Sequence, residues 1–502
     1  MFAVPDAPDT REPAHGVAAR VARNAGVRAA AELFGKFATL ALMAVLARTE
    51  GASGVGVFVF ALAWTELASI PINMGFDRHF LRRVARDRAE LEGSLLNVLA
   101  LKLVRAVPVI VVSLALIWVL DYSSQTRLAV LLLTFSFLLD AVRLTFVAAF
   151  NGLERGDLVG TVLVVQRLVS GALGLLVLAL GFGVVAVAGM YVIGSAAAVA
   201  VGGLALARRV RMGRPALSPE RRRELRRGSL AFGAQDIFSG GIARFDTILL
   251  SVLATSAVVG IYGGAYRLLE ATLFIPAALL GAFSAMFTYL DEHSTPTIRA
   301  AYARSIKLAF ALLVPCAVPL AVIPGPILEL FYGDDFGGGA GALRWLAPTI
   351  VVLGNVMLNS SLIASRLDPR VILRCFAVGF VANVALNLAL IPPLEATGAG
   401  LAMLGTEVLL WAMMLRIVIP AVGAPPVLST IGSAALAGAA MAGVVAALHG
   451  VALLALAAGA VVYPVVFWLV ERRVAPADLA VLVGMLPGGI GARLRPPVTS
   501  PR

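Results

Sequence analysis

Charged residues are scarce in this chain of 502 amino acids: they make up 14% of it, whereas 60% of the residues are hydrophobic. Soluble domains carry about 25% charged residues. The composition therefore excludes a soluble globular protein and predicts an integral membrane protein. A net charge of +12 would suggest nucleic-acid binding in a soluble chain. Here the arginines lie in short connections between apolar runs, so no nucleic acid is expected as a partner.

The chain also lacks the residue patterns that cofactor and catalytic sites require. Its two cysteines, Cys316 and Cys375, lie on different predicted spans, where they cannot form a disulfide and have no metal ligands beside them. Its four histidines are scattered over loops and tails. A G-x-x-x-x-G-K-[ST] phosphate loop is absent, so direct use of ATP is not expected. We expect no cofactor, no metal and no enzymatic activity.

Apolar runs of membrane-spanning length are abundant, since a helix needs about 20 largely apolar residues to cross a bilayer. Arginines crowd every second connection between these runs, for example between residues 78 and 88. The positive-inside rule then places both termini in the cytoplasm, which requires an even number of spans. The sequence predicts an all-α protein with about 14 transmembrane helices, over 27–48, 54–74, 94–120, 128–150, 158–181, 183–206, 229–253, 257–289, 302–323, 341–364, 371–392, 398–418, 428–448 and 452–471.

Residues 30–66 recur without a gap 204 positions later, so that Gly56 corresponds to Gly260 and Glu66 to Glu270. Chance similarity between apolar helices is the alternative explanation. The repeat predicts two pseudo-symmetric six-helix lobes around a central cavity, because many transporters are built from two structural repeats. The predicted domains are a disordered cytoplasmic tail (1–26), an N-lobe of spans one to six (27–207), a basic cytoplasmic linker (208–228), a C-lobe of spans seven to twelve (229–420), two peripheral accessory spans (428–471) and a cytoplasmic tail (472–502).

Ionisable residues at bilayer depth are costly unless they face a wet cavity or a partner. The N-lobe has a surplus of two positive charges there, and the C-lobe a surplus of two negative charges. An anionic substrate is therefore expected to prefer the N-lobe, while the acids of the C-lobe carry a coupling cation or pair across the cleft. The N-lobe groups are Lys36, Lys102, Arg105, Arg143 and Arg167 against Glu32, Glu66 and Asp140, and the C-lobe groups are Arg244 and Arg267 against Asp236, Asp246, Glu270 and Glu407.

Some of these charges are spaced to form ion pairs within one helix, as Asp140 and Arg143 are at i,i+3. Ion pairs that only hold helices together are therefore an equally weighted alternative to substrate binding. Lys102 and Arg105 differ, because they share one helix face and repel each other. Their face is expected to need an acid or an anionic ligand.

Asparagines repeat an i,i+4 spacing on two C-lobe spans, at Asn355 and Asn359 and again at Asn383 and Asn387. Such pairs commonly form hydrogen bonds between membrane helices, and binding of substrate hydroxyls is the alternative. The predicted substrate-binding residues of the cavity are Lys36, Lys102, Arg105, Arg143, Arg167, Arg267, Asn355, Asn359, Asn383 and Asn387. The predicted coupling or cavity acids are Glu32, Glu66, Asp140, Asp236, Asp246, Glu270 and Glu407.

Several weak motifs in a fixed order carry a family resemblance over roughly residues 20–420. They are RFDTILLSVLATSAVVGIYGGAYRLLE at 244–270, its first-lobe counterpart LARTEGASGVGVFVFALAWTE at 46–66, and the later runs FYGDDFGGGAGALRWLAP, NSSLIASRLDPR and NVALNLALIPPLEATGAGLA. Together they resemble polysaccharide-export flippases of the multidrug/oligosaccharidyl-lipid/polysaccharide superfamily. Asp246, Gly260, Tyr262 and Arg267 match the family signature of the seventh and eighth helices, where conservation is largely structural.

The resemblance implies an alternating-access flippase that moves a polyprenyl-pyrophosphate-linked oligosaccharide from the inner to the outer leaflet for cell-surface polysaccharide assembly. The implied location is the bacterial inner membrane. The implied partners are the lipid-linked oligosaccharide and membrane lipids, with a polysaccharide polymerase or export machinery left open. Two other functions stay open: a cation-coupled multidrug exporter of the same superfamily, and a membrane glycosyltransferase or ligase. The basic surplus of the N-lobe argues against cationic drugs, and the short external loops argue against a catalytic domain.

Overall fold

The computed structural model of the chain describes residues 14–209, 217–277, 279, 287, 295–368 and 370–476. These residues form fourteen α-helices without a β-strand, and one 3-10 helix, Asp334–Gly339. The helices are α1 (Ala14–Asn73), α2 (Phe76–Arg86), α3 (Glu90–Val119), α4 (Ser124–Gly152), α5 (Gly156–Ala179), α6 (Val184–Arg209), α7 (Pro219–Leu253), α8 (Ser256–Thr272), α9 (Thr295–Val322), α10 (Pro324–Tyr332), α11 (Ala340–Arg366), α12 (Arg370–Val422), α13 (Val427–Ala447) and α14 (Ala452–Val474).

Eleven helices in the described part of the chain are long and apolar enough to cross a membrane. Two of them, within α1 and α12, each contain two predicted spans, so the eleven account for thirteen of the fourteen predictions. The remaining segment, 229–253, is helical as part of α7, but α7 is not among the eleven. The predicted all-α, multi-pass membrane fold is confirmed.

Both double-span helices bend where the sequence predicts an external connection. In α1 the bend is at Gly51, whose φ of 67° and ψ of −172° are accessible to glycine and strained for other residues. In α12 it is at Glu395 (φ 47°), two residues after the Pro392–Pro393 pair. Two adjacent prolines remove two backbone donors from the helix, which weakens the helical ladder at that point. Each long helix therefore consists of two spans joined by a tight turn.

The helices group into two compact units. Unit 1 runs up to Leu42 and resumes at Trp64–Ile237, so that it contains α2 to α6 and the first half of α7. Its largest apolar cluster is built around α2, whose buried residues Phe76 and Phe80 pack among side chains of α3, α4, α5 and α6. The described residues of the tail predicted at 1–26 belong to α1, which begins at Ala14.

Unit 2 consists of Met43–Ala63 and the chain from Phe238 onward. Within it, α1 and α8 cross so closely that only glycine fits at the crossing. A Cβ on Gly56 would overlap the carbonyl oxygen of Ser256, and a Cβ on Gly260 would overlap that of Ala52. Residues 52 and 56 are the repeat equivalents of 256 and 260, so the two contacts are reciprocal. The sequence repeat therefore corresponds to a local two-fold relation between these helices.

The last span is tied to unit 2 by a buried ion pair. Lys307 Nζ of α9 lies 2.7 Å from Glu471 Oε1 near the end of α14, and both side chains are almost inaccessible to solvent. A charge buried in this way requires its partner, because an unpaired ion in an apolar setting is strongly destabilising. The position of α14 against α9 is thus specified by charge as well as by shape. The C-terminal segment after residue 476 lies outside the described residues.

Candidate functional site

Unit 1 buries an ion pair between α2 and α3. Lys102 Nζ donates hydrogen bonds to both carboxylate oxygens of Asp77, at 2.7 and 2.6 Å, and to the carbonyl oxygen of Ala141 at 2.8 Å. Thr145 donates a further hydrogen bond to Asp77 at 2.9 Å. Lys102 is only 2% exposed, so these three acceptors replace its hydration. The helix face of Lys102 was expected to need an acid, and that acid is Asp77. The sequence did not identify Asp77 as a candidate because it lies in an arginine-rich connection outside the apolar runs.

A second polar cluster in unit 1 is centred on Asp140 of α4. One of its oxygens accepts hydrogen bonds from Arg143 Nε at 2.9 Å, Gln166 Nε2 at 2.6 Å and Ser195 Oγ at 3.2 Å. The i,i+3 ion pair predicted between Asp140 and Arg143 is confirmed, and it is extended to α5 and α6 by two neutral side chains. Gln166 and Ser195 were not predicted, because one amide and one hydroxyl on apolar spans are weak signals.

Arg105 has a different environment from its neighbour Lys102. Its guanidinium lies 4.9 Å from the centroid of the Phe76 ring, and Nη1 is 3.5 Å from the carbonyl oxygen of Pro71. Its charge is within electrostatic range of Arg226 on α7. Among the residues that the structure describes, neither arginine forms an ion pair with a carboxylate. Unit 1 therefore holds two positive charges, at Arg105 and Arg226, that no described acid neutralises, and we call these two residues the arginine pair.

Two contacts in unit 1 position α7, and with it Arg226. Glu90 lies 2.9 Å from Arg83 and 3.0 Å from Arg221, which joins α3 to both α2 and α7. Arg78 lies 2.6 Å from Asp236. The side-chain hydrogen bond to Glu90 raises the pKa of Arg83. Asp236, predicted as a cavity acid of the C-lobe, is thus engaged by an arginine of unit 1. Arg226 was missed as a candidate because its basic segment was interpreted as a linker.

The remaining candidate residues of unit 1 lie outside the two polar clusters around Asp77 and Asp140. Arg167 is exposed and packs on α1, where a Cβ at Gly35 would lie 3.1 Å from its Cγ. Lys36 and Glu66 are half-buried and each takes part in an interaction. The side chain of Glu32 lies outside those that the structure describes.

His79 of α2 gives unit 1 a pH-dependent contact. Burial lowers the pKa of the imidazole, and the charge of Arg83 lowers it further. The ring packs so tightly on Gly228 of α7 that a Cβ there would overlap it. His79 Nε2 is buried without a hydrogen-bond partner among the described residues.

We expect this histidine to make the protein less stable as the pH falls. Because the folded-state pKa is below the unfolded value of about 6.5, the folded state is penalised once the pH drops through that value. Between pH 7.5 and 5.5, wild type should lose a few degrees more in melting temperature than His79→Gln, as measured by thermal unfolding in detergent. Identical pH dependence of the two proteins would contradict this expectation.

In unit 2, several of the charged residues predicted to line the cavity form ion pairs or hydrogen bonds with one another or with neighbouring polar groups. Glu270 lies between two arginines, with Arg244 Nη2 at 2.6 Å and Arg267 Nη1 at 2.5 Å. Asp246 is fully buried and accepts hydrogen bonds from the Tyr262 hydroxyl and, at 2.6 Å, from the Thr247 amide. Arg267 and Glu270 thus form an i,i+3 ion pair, while Arg244 and Asp246 have different partners.

The predicted asparagines form hydrogen bonds within unit 2. Asn359 of α11 accepts one from the Tyr302 hydroxyl of α9 at 2.7 Å. Asn383 donates one to Thr406 at 3.1 Å, across the bend of α12, and Asn387 donates one to Asn383 at 3.0 Å. The first two hydrogen bonds link different spans, as the i,i+4 spacing predicted, whereas the third lies within one span.

The buried polar atoms of unit 2 that have no hydrogen-bond partner among the described residues include Asn355 Oδ1, Asn387 Oδ1 and Glu407 Oε2. Asn355 donates only to the Val351 carbonyl of its own helix. Glu407 is 3% exposed. Buried polar atoms are usually satisfied, so each of these invites a functional explanation.

The fold is similar to that of solved flippases and transporters. The structure of the lipid II flippase MurJ in an inward closed conformation matches with a TM-score of 0.68 at 13% identity, over 89% of this chain and 99% of that one. An inward-facing MATE family multidrug transporter matches with a TM-score of 0.60 at 18% identity, over 79% and 98% of the two chains. A MOP superfamily transporter from Pyrococcus furiosus gives 0.58 at 16% identity, over 81% and 96%.

Sequence comparison finds a probable flippase and a polysaccharide biosynthesis family. The chain is 28% identical over 202 residues to the probable flippase AglR of Haloferax volcanii. The match covers 39% of this chain and 42% of AglR, so the chain spans less than half the length of that relative. The family described as polysaccharide biosynthesis protein matches residues 21–287, more than half of the chain. The protein is therefore a member of the polysaccharide biosynthesis protein family.

Proposed function

We propose that the protein is a flippase that carries a lipid-linked oligosaccharide with a polyprenyl-pyrophosphate head from the inner to the outer leaflet of a bacterial inner membrane. The observation that carries the proposal is the arginine pair, because two cations of one unit that act on each other electrostatically, without a described acid, favour an anionic head. Membership of a polysaccharide biosynthesis family and the likeness to a probable flippase support the same substrate class. The crowding of arginines in every second connection supports cytoplasmic positions for both termini.

The chemistry of the pair suits a pyrophosphate. A guanidinium binds phosphate oxygens through two parallel hydrogen bonds, which a lysine ammonium cannot do. The Phe76 ring supports the Arg105 guanidinium by a cation–π contact and so limits its freedom before the substrate binds. Lys102 and Arg143 serve to position this region, because their charges are engaged by Asp77 and Asp140.

We assign the other candidates in unit 2 by their hydrogen-bonding capacity. The unpartnered amide oxygens of Asn355 and Asn387 accept hydrogen bonds from sugar hydroxyls. Glu407 is the coupling acid, because it is buried and has no described cation beside it. Asp246, Glu270 and Arg267 hold the helices together. Transport proceeds by alternating access of the two repeats, without a catalytic step.

Complementation of a deletion strain tests the function. Deleting the gene should raise the inner-leaflet pool of lipid-linked glycan and abolish surface polysaccharide. Wild type should restore both, whereas Arg105→Gln/Arg226→Gln should restore surface polysaccharide at least about tenfold less, equivalent to about 1.4 kcal/mol of lost binding. Arg88→Gln, which removes an exposed cation of unit 1, is the control and should complement fully. Expression levels are matched by immunoblot.

The outcomes separate the function from the site. Full complementation by the double variant would reject the arginine pair as the head site but leave flipping intact. Unchanged glycan pools in the deletion strain, with no second transporter of this family present, would reject flipping. Drug accumulation assays would then test the multidrug exporter.

A further inference from the structure

Unit 2 contains a cavity of about 660 Å³ that the proposed transport function does not use. It lies between the first turns of α9, the last residues of α12 and the start of α13. Its polar lining consists of Arg299, Arg304, Lys307, Ser429 and Thr430. No carboxylate is among the lining residues, so the charge of the cavity favours anions.

The three basic residues of the cavity all belong to α9, but their interaction partners differ. Lys307 is paired with Glu471 at 2.7 Å. Arg304 takes part in an interaction of its own. Arg299 donates from Nε to the Ala424 carbonyl oxygen at 2.9 Å, which fixes the guanidinium against the connection between α12 and α13. Its Nη atoms have no acceptor among the described residues, and they are available to a ligand.

The start of α13 adds backbone donors to the same cavity. The helix begins at Val427 after Pro426, and no side chain caps it. The Ser429 and Thr430 hydroxyls, which line the cavity, both donate to the Pro426 carbonyl oxygen, at 3.2 and 2.6 Å. The amides of the first turn are thus left to another acceptor, and the positive end of the helix dipole favours an anion there.

The surroundings indicate that the anion belongs to a lipid. Exposed apolar side chains lie next to the lining residues, with Ile419 37% and Val427 64% exposed. The cavity sits at the helix ends that the arginine distribution assigns to the cytoplasmic face. Basic pockets between membrane helices at this face bind lipid headgroups. We propose that this cavity binds the phosphate group of an anionic membrane lipid, held by Arg299, Arg304 and the first turn of α13.

Native mass spectrometry of the purified full-length protein tests the site. Wild type should retain phosphatidylglycerol in preference to phosphatidylcholine. Arg299→Gln/Arg304→Gln should reduce that preference about fivefold or more, since each basic residue near an anionic headgroup contributes about 1 kcal/mol. The matched control Arg370→Gln/Arg374→Gln removes two exposed arginines from the same end of unit 2 and should leave the preference unchanged. Ala303→Phe should reduce it by filling the cavity without changing its charge.

Competition experiments identify the source of the phosphate. Displacement of phosphatidylglycerol by undecaprenyl phosphate at lower concentration would assign the site to the polyprenyl carrier, and resistance to it would assign the site to phospholipid. Equal displacement by inorganic phosphate would overturn the proposal, as would equal losses in both double variants. Binding is measured without transport, so its result is independent of the proposed flippase function. Thermal unfolding of each variant shows that the loss does not come from misfolding.

Discussion

Asp77→Asn is expected to destabilise the folded protein by about 3–5 kcal/mol, the usual cost of removing one partner from a buried ion pair. Lys102 is 2% exposed, and the substitution would leave only neutral acceptors around its buried ammonium group. The variant should unfold at a clearly lower temperature or denaturant concentration than wild type in the same detergent. The loss should also appear as lower expression of folded protein in the membrane.

Two further variants show whether the effect comes from this pair. Asp87→Asn changes an exposed acid just after α2 and should leave the free energy of unfolding nearly unchanged. Asp77→Asn/Lys102→Met removes both charges and should recover much of the stability, because an apolar side chain tolerates this environment. If Asp77→Asn were as stable as Asp87→Asn, the buried ion pair would not be a determinant of the fold.

Gly56→Ala is expected to cost about 3 kcal/mol or more, since a methyl group at this position overlaps backbone that cannot rotate away. The two helices would have to separate along their crossing, which would expose buried apolar surface on both. Gly443→Ala is the control: a Cβ there meets nothing within 4 Å, and alanine favours a helix over glycine by about 1 kcal/mol. Thermal unfolding in detergent measures both.

Because the two glycine contacts are reciprocal, the same experiment can be done at Gly260. Gly260→Ala should cost about as much as Gly56→Ala, because each Cβ overlaps an equivalent carbonyl oxygen. The double variant should cost less than the sum of the two, since the first substitution already separates the helices. Clearly unequal single effects would contradict the local two-fold relation.

The features that could be predicted from sequence are those that depend on neighbouring residues. Apolar runs marked each of the eleven described helices that are long and apolar enough to cross a membrane, and the bends at Gly51 and Glu395 fell in predicted connections. The Asp140–Arg143 ion pair was predicted because an i,i+3 spacing places both partners on one helix face, and Arg267 and Glu270 pair at the same spacing.

Contacts between helices distant in sequence escaped prediction. Asp77 and Lys102 are 25 positions apart, and Asp77 lies outside any apolar run. Helix ends were also misjudged, because hydropathy reports the thickness of the bilayer and not the length of the helix. Thus α7 begins at Pro219, ten residues before the predicted span, and this extra length places Arg226 on a helix that packs in unit 1.

The crossing of Gly56 and Gly260 has a consequence for both repeats. A surface whose contacts are reciprocal is isologous, the kind of surface that pairs two copies of one protein. Two copies of a shorter chain with one such glycine could pair through the same geometry. Because both glycines lie at one crossing, a larger residue at either position disturbs the contacts of both repeats.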